Sequence, residues 1–288
     1  RKTETDKIST RHAKSKRGTQ TMTKMKWEFK GAMIALTLAC AGTMPASALS
    51  AAEAVFVLPS SEAGAANHDP IRGTLMTLAD ALIYDRLVVQ GADQGYYPHL
   101  ATSWEAAPDG MSWTFHLKEG VKFHDGEPFN AKTIEWWIPK FAGTENEYLV
   151  AAIDKVEVVD DLTVRFVMKH PDANLLYNLS SAFMGVPSPK AYDAEGTNYG
   201  VTVAVGTGPY KLESFTTGVE SVLVKNEDYS WGSAVSQNKG PAKIDRLTLR
   251  EIADSSTSFL ELKTGGVDAV LDVPSDILPQ YQTLENAT

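Results

Sequence analysis

The stretch that decides the fold is Leu100-Ala-Thr-Ser-Trp104-Glu-Ala-Ala-Pro108-Asp109-Gly110-Met-Ser-Trp113-Thr-Phe115-His-Leu117-Lys-Glu119-Gly120-Val121-Lys-Phe123-His124-Asp125-Gly126. Pro108-Asp109-Gly110 combines a fixed φ, an Asx-turn former and a residue free to take positive φ, so a turn is predicted there. Trp113, Phe115 and Leu117 then alternate with Ser112, Thr114 and His116, the period of a half-buried strand. Glu119-Gly120 turns the chain, Val121 and Phe123 resume the alternation, and His124-Asp125-Gly126 closes it. These spacings predict a β-meander with Trp113, Phe115 and Leu117 buried together.

Outward from this unit the chain alternates helical and extended signals. Ala54–Leu58 is a short apolar run suited to a first buried strand. A loop over residues 60–70 ends in Asn67-His68-Asp69-Pro70, whose bland reading is an Asx-turn. Leu75, Leu78, Ala79, Leu82 and Ile83 recur at helical spacing, which predicts a helix over residues 74–87. Asn130 is placed to cap a helix from Ala131 through Trp137, with Pro139 limiting it. Trp136 and Trp137 point about 100° apart on such a helix, so at most one can face any given site. Residues 155–159 and 162–168 read as a hairpin around Asp160-Asp161, with Val164, Phe166 and Met168 on one face. Residues 173–184 read as helix, 246–250 as a solvent-edged strand, 255–263 as helix stopped by Gly265-Gly266, and 268–273 as strand.

The wording of Leu100–Gly126 resembles the signature of the bacterial extracellular solute-binding proteins of the dipeptide/oligopeptide/nickel class, the extracytoplasmic receptors of ABC importers. Their pattern is Leu-Ala-x-Ser-Trp, Pro-Asp-Gly, Trp-x-Phe-x-Leu and Gly-Val-x-Phe-His-Asp-Gly, and every element stands here. The likeness continues from about Pro59 to the end of the chain. Val205-Gly206-Thr207-Gly208-Pro209-Tyr210 and Gly265-Gly266-Val267-Asp268-Ala269 are similar to further landmarks. Two departures stand out: Ala204 replaces the usual proline before Val-Gly-Thr-Gly, and Ser230 separates Tyr229 from Trp231.

The resemblance implies an α/β fold of the periplasmic-binding-protein type II kind, with mixed sheets flanked by helices. It places residues 49–288 in the first of two lobes, with 49–71 and 201–288 as its core, about 72–200 as an inserted subdomain, and the second lobe largely absent. It implies ligand contacts from Asn67 and His68 at the mouth of the cleft, from Tyr148, and from Thr207 in the glycine turn. No cofactor, metal or catalytic residue is implied. The partners would be a peptide or other small solute and the membrane permease of an ABC importer, with no nucleic acid, and the full-length protein would be a monomer. A nickel complex, opine, glutathione or oligosaccharide in the same scaffold is the alternative, and a secreted enzyme the third reading.

Charge and composition agree with a secreted receptor. Of 288 residues, 43% are hydrophobic and 22% charged, a globular balance. Residues 1–30 carry 10 basic and 3 acidic residues, leaving the remainder at −16 within a chain of net −9. That acidity argues against nucleic acid as a partner. From Met22 or Met25, lysines precede the apolar run Ala32–Met44 and the small-x-small site Ala46-Ser47-Ala48, the layout of an export signal over residues 22–48. Periplasmic localisation is expected; residues 1–21 are assigned no structure. Cys40 falls within the signal, and its acylation as a lipoprotein is the rival outcome. No Gly-x-Ser-x-Gly, His-Glu-x-x-His, paired-cysteine or phosphate-loop pattern occurs.

Overall fold

Two sheets divide the chain between them in the computed structural model, which describes residues 52–284. The elements are β1 (Glu53–Val57), α1 (Leu78–Ile83), β2 (Val88–Gln90), β3 (Tyr96–Pro98), β4 (Ala101–Ala106), β5 (Ser112–Leu117) and α2 (Ala131–Trp137). They continue as β6 (Ile153–Asp160), β7 (Thr163–Met168), α3 (Leu175–Leu179), α4 (Pro189–Glu195), β8 (Tyr210–Thr216) and β9 (Glu220–Lys225). The last are β10 (Arg246–Arg250), α5 (Ser255–Thr264), β11 (Ala269–Val270) and α6 (Leu278–Tyr281). One five-stranded sheet has the order β11-β1-β10-β9-β8; a four-stranded sheet has the order β4-β5-β7-β6; β2 and β3 form a ribbon. The described residues make one compact unit. The expected upstream segment and export signal, Cys40 included, lie outside the described residues.

β1 is an interior strand of the larger sheet, parallel to both neighbours, β10 and β11. Two aspartates splint it. Asp245 accepts the Ala52 N–H at 2.7 Å while its own N–H donates to the Ala52 carbonyl at 2.7 Å. Asp268 does the same to Val55, at 2.8 Å each way. Cross-strand partners share a face, so Ala54, Leu247, Leu223 and Leu212 line up on the side that joins the main core.

In the four-stranded sheet, Pro108-Asp109-Gly110 turns as read: Gly110 has φ +70°, and the Asp109 carboxylate accepts the Met111 N–H at 3.0 Å. Phe115, Val164 and Phe166 are fully buried and pack under α2, whose Trp137 and Ile134 are also fully buried. Asn130 caps that helix, its Oδ1 accepting from the Lys132 and Thr133 amides. Of the two tryptophans only Trp137 is buried; Trp136 donates to the Asp193 carboxylate at 2.9 Å.

Four expectations need correction. The meander does not continue: Val121 and Phe123 are buried, but that segment makes a single bridge between Lys122 and Pro128, and β7 of the later hairpin pairs with β5 instead. Trp113 is only half-buried, its ring stacked on Phe115 at 6.4 Å. The helix over 74–87 shrinks to α1, because the Asp80 carboxylate takes both the amide and the hydroxyl of Thr77 and fixes the start there. The helix over 173–184 breaks after α3, where the Ser180 hydroxyl donates to the Tyr177 carbonyl and Ser181 caps a new 3-10 turn at Ala182–Met184.

Candidate functional site

The parallel arrangement of β1, β10 and β11 brings their carboxyl ends to one edge, where open α/β sheets collect ligand-binding loops. Three loops leave that edge: residues 58–70 after β1, 251–254 after β10, and 271–274 after β11. They are tied to the sheet and to each other. Leu58 N–H donates to the Arg250 carbonyl at 2.9 Å and Leu271 N–H to the Val57 carbonyl at 3.0 Å. Gly64 N–H donates to the Glu251 carboxylate at 2.7 Å, and Glu62 reaches the first amide of α1, Leu78, at 2.6 Å. Asp254 caps α5 through the Thr257 amide at 2.8 Å. Ser60, Ser61, Ala253, Asp254, Leu271 and Asp272 remain exposed along this edge.

Behind the first loop lies a buried line of three groups. His68 Nδ1 stands 2.8 Å from Asp80 and Nε2 stands 2.9 Å from the Ser221 hydroxyl. By distance alone this is the serine-histidine-aspartate constellation of hydrolases. Three facts remove it from that class. Ser221, His68 and Asp80 are 4%, 1% and 3% exposed, so no substrate reaches the hydroxyl. The ring of Phe215 covers His68 edge-on at 4.4 Å. Ser221 also lies near the start of β9, paired with Leu249 on one side and Phe215 on the other, so its amide is held within the sheet and offers no oxyanion donor. The line ties the first loop to α1 and β9.

A second buried group centres on Asp85, just past α1. Its carboxylate faces the Thr207 hydroxyl at 2.9 Å, the Trp231 indole N–H at 3.0 Å, His99 Nε2 at 3.0 Å and the Tyr229 hydroxyl at 3.2 Å. Burial pushes this carboxyl up, but the His99 charge and the hydrogen bonds from His99, Thr207 and Trp231 outweigh it and hold it below the ordinary value. Burial and the Asp85 charge push the Tyr229 phenol up, so it stays a donor. Among the described residues no group of three or more His, Cys, Asp or Glu is arranged to hold a metal, and no helix is long and apolar enough to cross a membrane.

A model of the family described as bacterial extracellular solute-binding proteins, family 5 Middle, matches residues 95–288. The chain belongs to this family. It is 33% identical over 181 residues to the glutathione-binding protein GsiB of Pectobacterium atrosepticum, a match covering 61% of this chain and 33% of that protein. It is 29% identical over 227 residues to heme-binding protein A of Haemophilus influenzae, covering 70% of this chain and 40% of that one. Its fold matches the periplasmic binding protein DppA of Helicobacter pylori, in complex with the peptide STSA, with a TM-score of 0.67 and 30% identity over 81% of this chain and 49% of that chain. The family 5 chain therefore spans a third to a half of the length of these relatives. The type II periplasmic-binding fold expected from its signature is the fold observed.

The four residues singled out from sequence do not form one surface in this family 5 chain. Tyr148 is 62% exposed, on the 3-10 turn Glu147–Leu149 beside α3. Asn67 is half-buried, its side-chain oxygen accepting the Asp69 N–H at 3.0 Å, which is the Asx-turn. His68 belongs to the Ser221–Asp80 line, which meets α1 at Asp80, and Thr207 to the group at Asp85, just past the end of α1. Sequence reasoning missed His99, Tyr229 and Trp231 as partners of Asp85. The signal was an aspartate inside the apolar run Leu82–Val89, where a buried charge requires partners. Ser230 does not displace Trp231, whose indole N–H bridges Asp85 and the Thr207 carbonyl, each at 3.0 Å.

Proposed function

We propose that this chain is the first lobe of an extracytoplasmic receptor that captures a peptide-like solute and delivers it to an ABC import permease. The observation that carries the reading is the edge where β1, β10 and β11 end together, with three anchored loops presenting exposed polar groups, in a chain that belongs to a solute-binding family. The peptide seated on DppA and the glutathione named for GsiB support a ligand with an amide backbone. Residues of about 72–200 form the inserted subdomain in this reading, and Asn67 and Tyr148 are its candidate solute contacts. His68 and Thr207 set the loops that carry those contacts. The protein acts in the periplasm and changes no bond in its solute.

Isothermal titration with the tetrapeptide Ser-Thr-Ser-Ala, reduced glutathione and the nickel–histidine complex tests this, with mass spectrometry of each mixture afterwards. A two-walled receptor of ~1 μM affinity holds its solute by about −8.2 kcal/mol, and one wall supplying half of that leaves roughly 1 mM. The expected result is weak binding of the peptide or of glutathione, with the ligand recovered intact. Ligand turnover would make the protein an enzyme; preference for the nickel complex would move it to the alternative solute class.

A further inference from the structure

The Gly206–Gly208 turn is held from outside by one histidine. His124 Nε2 lies 3.0 Å from the Gly208 carbonyl oxygen, so that nitrogen carries the proton and donates. Nδ1 lies 3.3 Å from the Gly206 nitrogen and accepts its N–H. The His124 amide adds a bond to the Gly206 carbonyl at 2.9 Å. Only the neutral ring can do both, because an imidazolium has two donors and no acceptor. On protonation the Gly206 N–H would face another N–H.

Beside the ring is a cavity of ≈ 60 Å³ lined in part by Lys122, Lys211, Asn226 and Asp228. Asn226 is 3% exposed, and its Nδ2 donates to the Gly208 carbonyl at 3.0 Å. Asn226 and Asp228 both line the cavity, so it offers the ring acceptor-bearing side chains. The charged groups facing the ring are Lys122 and Asp125 on its own segment, Lys211 on β8, Asp228 after β9 and Asp85 after α1. Burial pushes the imidazole down to about 4; the Gly208 bond, Asp85 and Asp125 resist this, and Lys211 adds to it.

We propose that His124 is an acid-released latch: once protonated, its ring gives up the Gly206 amide and turns into the cavity toward Asn226 Oδ1 and Asp228, freeing the turn that carries Thr207 to Asp85. The device is independent of which solute the protein binds.

The experiment uses the full chain. Nitrogen-15 spectra of the His124 ring are followed from pH 7.5 to 3.5, together with hydrogen exchange at the Gly206 amide, corrected for the intrinsic effect of pH. Phe166, in the remote sheet, is the reference. The expected result is the Nε2–H tautomer at neutral pH, a midpoint near 4 and Gly206 protection falling about tenfold within one pH unit below that midpoint while Phe166 holds. His124→Asn keeps an acceptor near the Nδ1 position and cannot titrate, so its Gly206 protection should stay flat. A ring midpoint near the ordinary ~6.5, unchanged Gly206 protection, parallel loss at Phe166, or the same fall in His124→Asn would each overturn the latch. If that variant fails to fold by circular dichroism, the wild-type curves decide alone, since the latch requires ring and amide to share one midpoint.

Discussion

Replacing Asp85 by alanine removes the acceptor on which four side chains converge. Trp231 keeps the Thr207 carbonyl at 3.0 Å, and Tyr229 can turn to His99 Nε2, 3.5 Å away. The Thr207 hydroxyl, fully buried, keeps nothing. That orphan alone costs about 1–3 kcal/mol, and the lost His99 hydrogen bond to a charged acceptor, 3.0 Å in the native protein, about 1.5–3 kcal/mol more. We expect Asp85→Ala to lose about 4 kcal/mol, most of the stability of a domain near the low end of the usual ~5–15 kcal/mol. Urea unfolding read by tryptophan fluorescence measures it, with Trp231 itself at the lesion. Asp85→Asn keeps the volume and one acceptor oxygen and should lose about half as much. The wild-type carboxyl is held below its unfolded value. Its contribution is therefore present above the unfolded pKa and lost as pH falls through the native one, so the gap between wild type and Asp85→Asn should narrow in acid. Adding Thr207→Val to Asp85→Ala should recover about 1 kcal/mol or more of coupling. A loss below ~1 kcal/mol for Asp85→Ala, or strict additivity of the pair, would refute the claim that this group organises the junction between α1 and the glycine turn.

Three further outcomes follow from the packing. Gly206→Ala sets a Cβ against the Ile83 carbonyl, a backbone atom that cannot swing away, and should cost about 3 kcal/mol in a chemical melt; a neutral result would mean the turn is not seated on α1. Phe115→Ala should cost about 3–5 kcal/mol, and Trp113→Ala clearly less, because only Phe115 is fully buried; the reverse order in paired melts would contradict the placement of the two rings. A fluorophosphonate probe should leave Ser221 unlabelled, and mass spectrometry finding an adduct there would reopen the hydrolase reading.

Much of this architecture was legible in the sequence because local and global signals agree there. Turn chemistry at Pro108-Asp109-Gly110, the Asn130 cap and the alternation through Val164, Phe166 and Met168 each had one physical answer. Long-range pairing was the illegible part. Nothing in Val121–Phe123 says that β5 will take β7 as its second neighbour, since strand order depends on what the later hairpin can cover. The failed helix boundaries have the same character: Asp80 and Ser180 redirect the backbone through side-chain bonds that periodicity does not register. At the site, Asp85 was visible as a misplaced charge, but its partners come from 14 to 146 residues away. Residue spacing could not join them.

The central claim is that solute meets this lobe where β1, β10 and β11 end. Amide chemical-shift mapping with Ser-Thr-Ser-Ala at millimolar concentration tests it directly. The account predicts saturable shifts at Ser60, Ser61, Asn67, Ala253, Asp254 and Asp272, with the exposed face of the four-stranded sheet around Thr114 and Arg165 unchanged. Shifts confined to that sheet face, with the three loops silent, would contradict it.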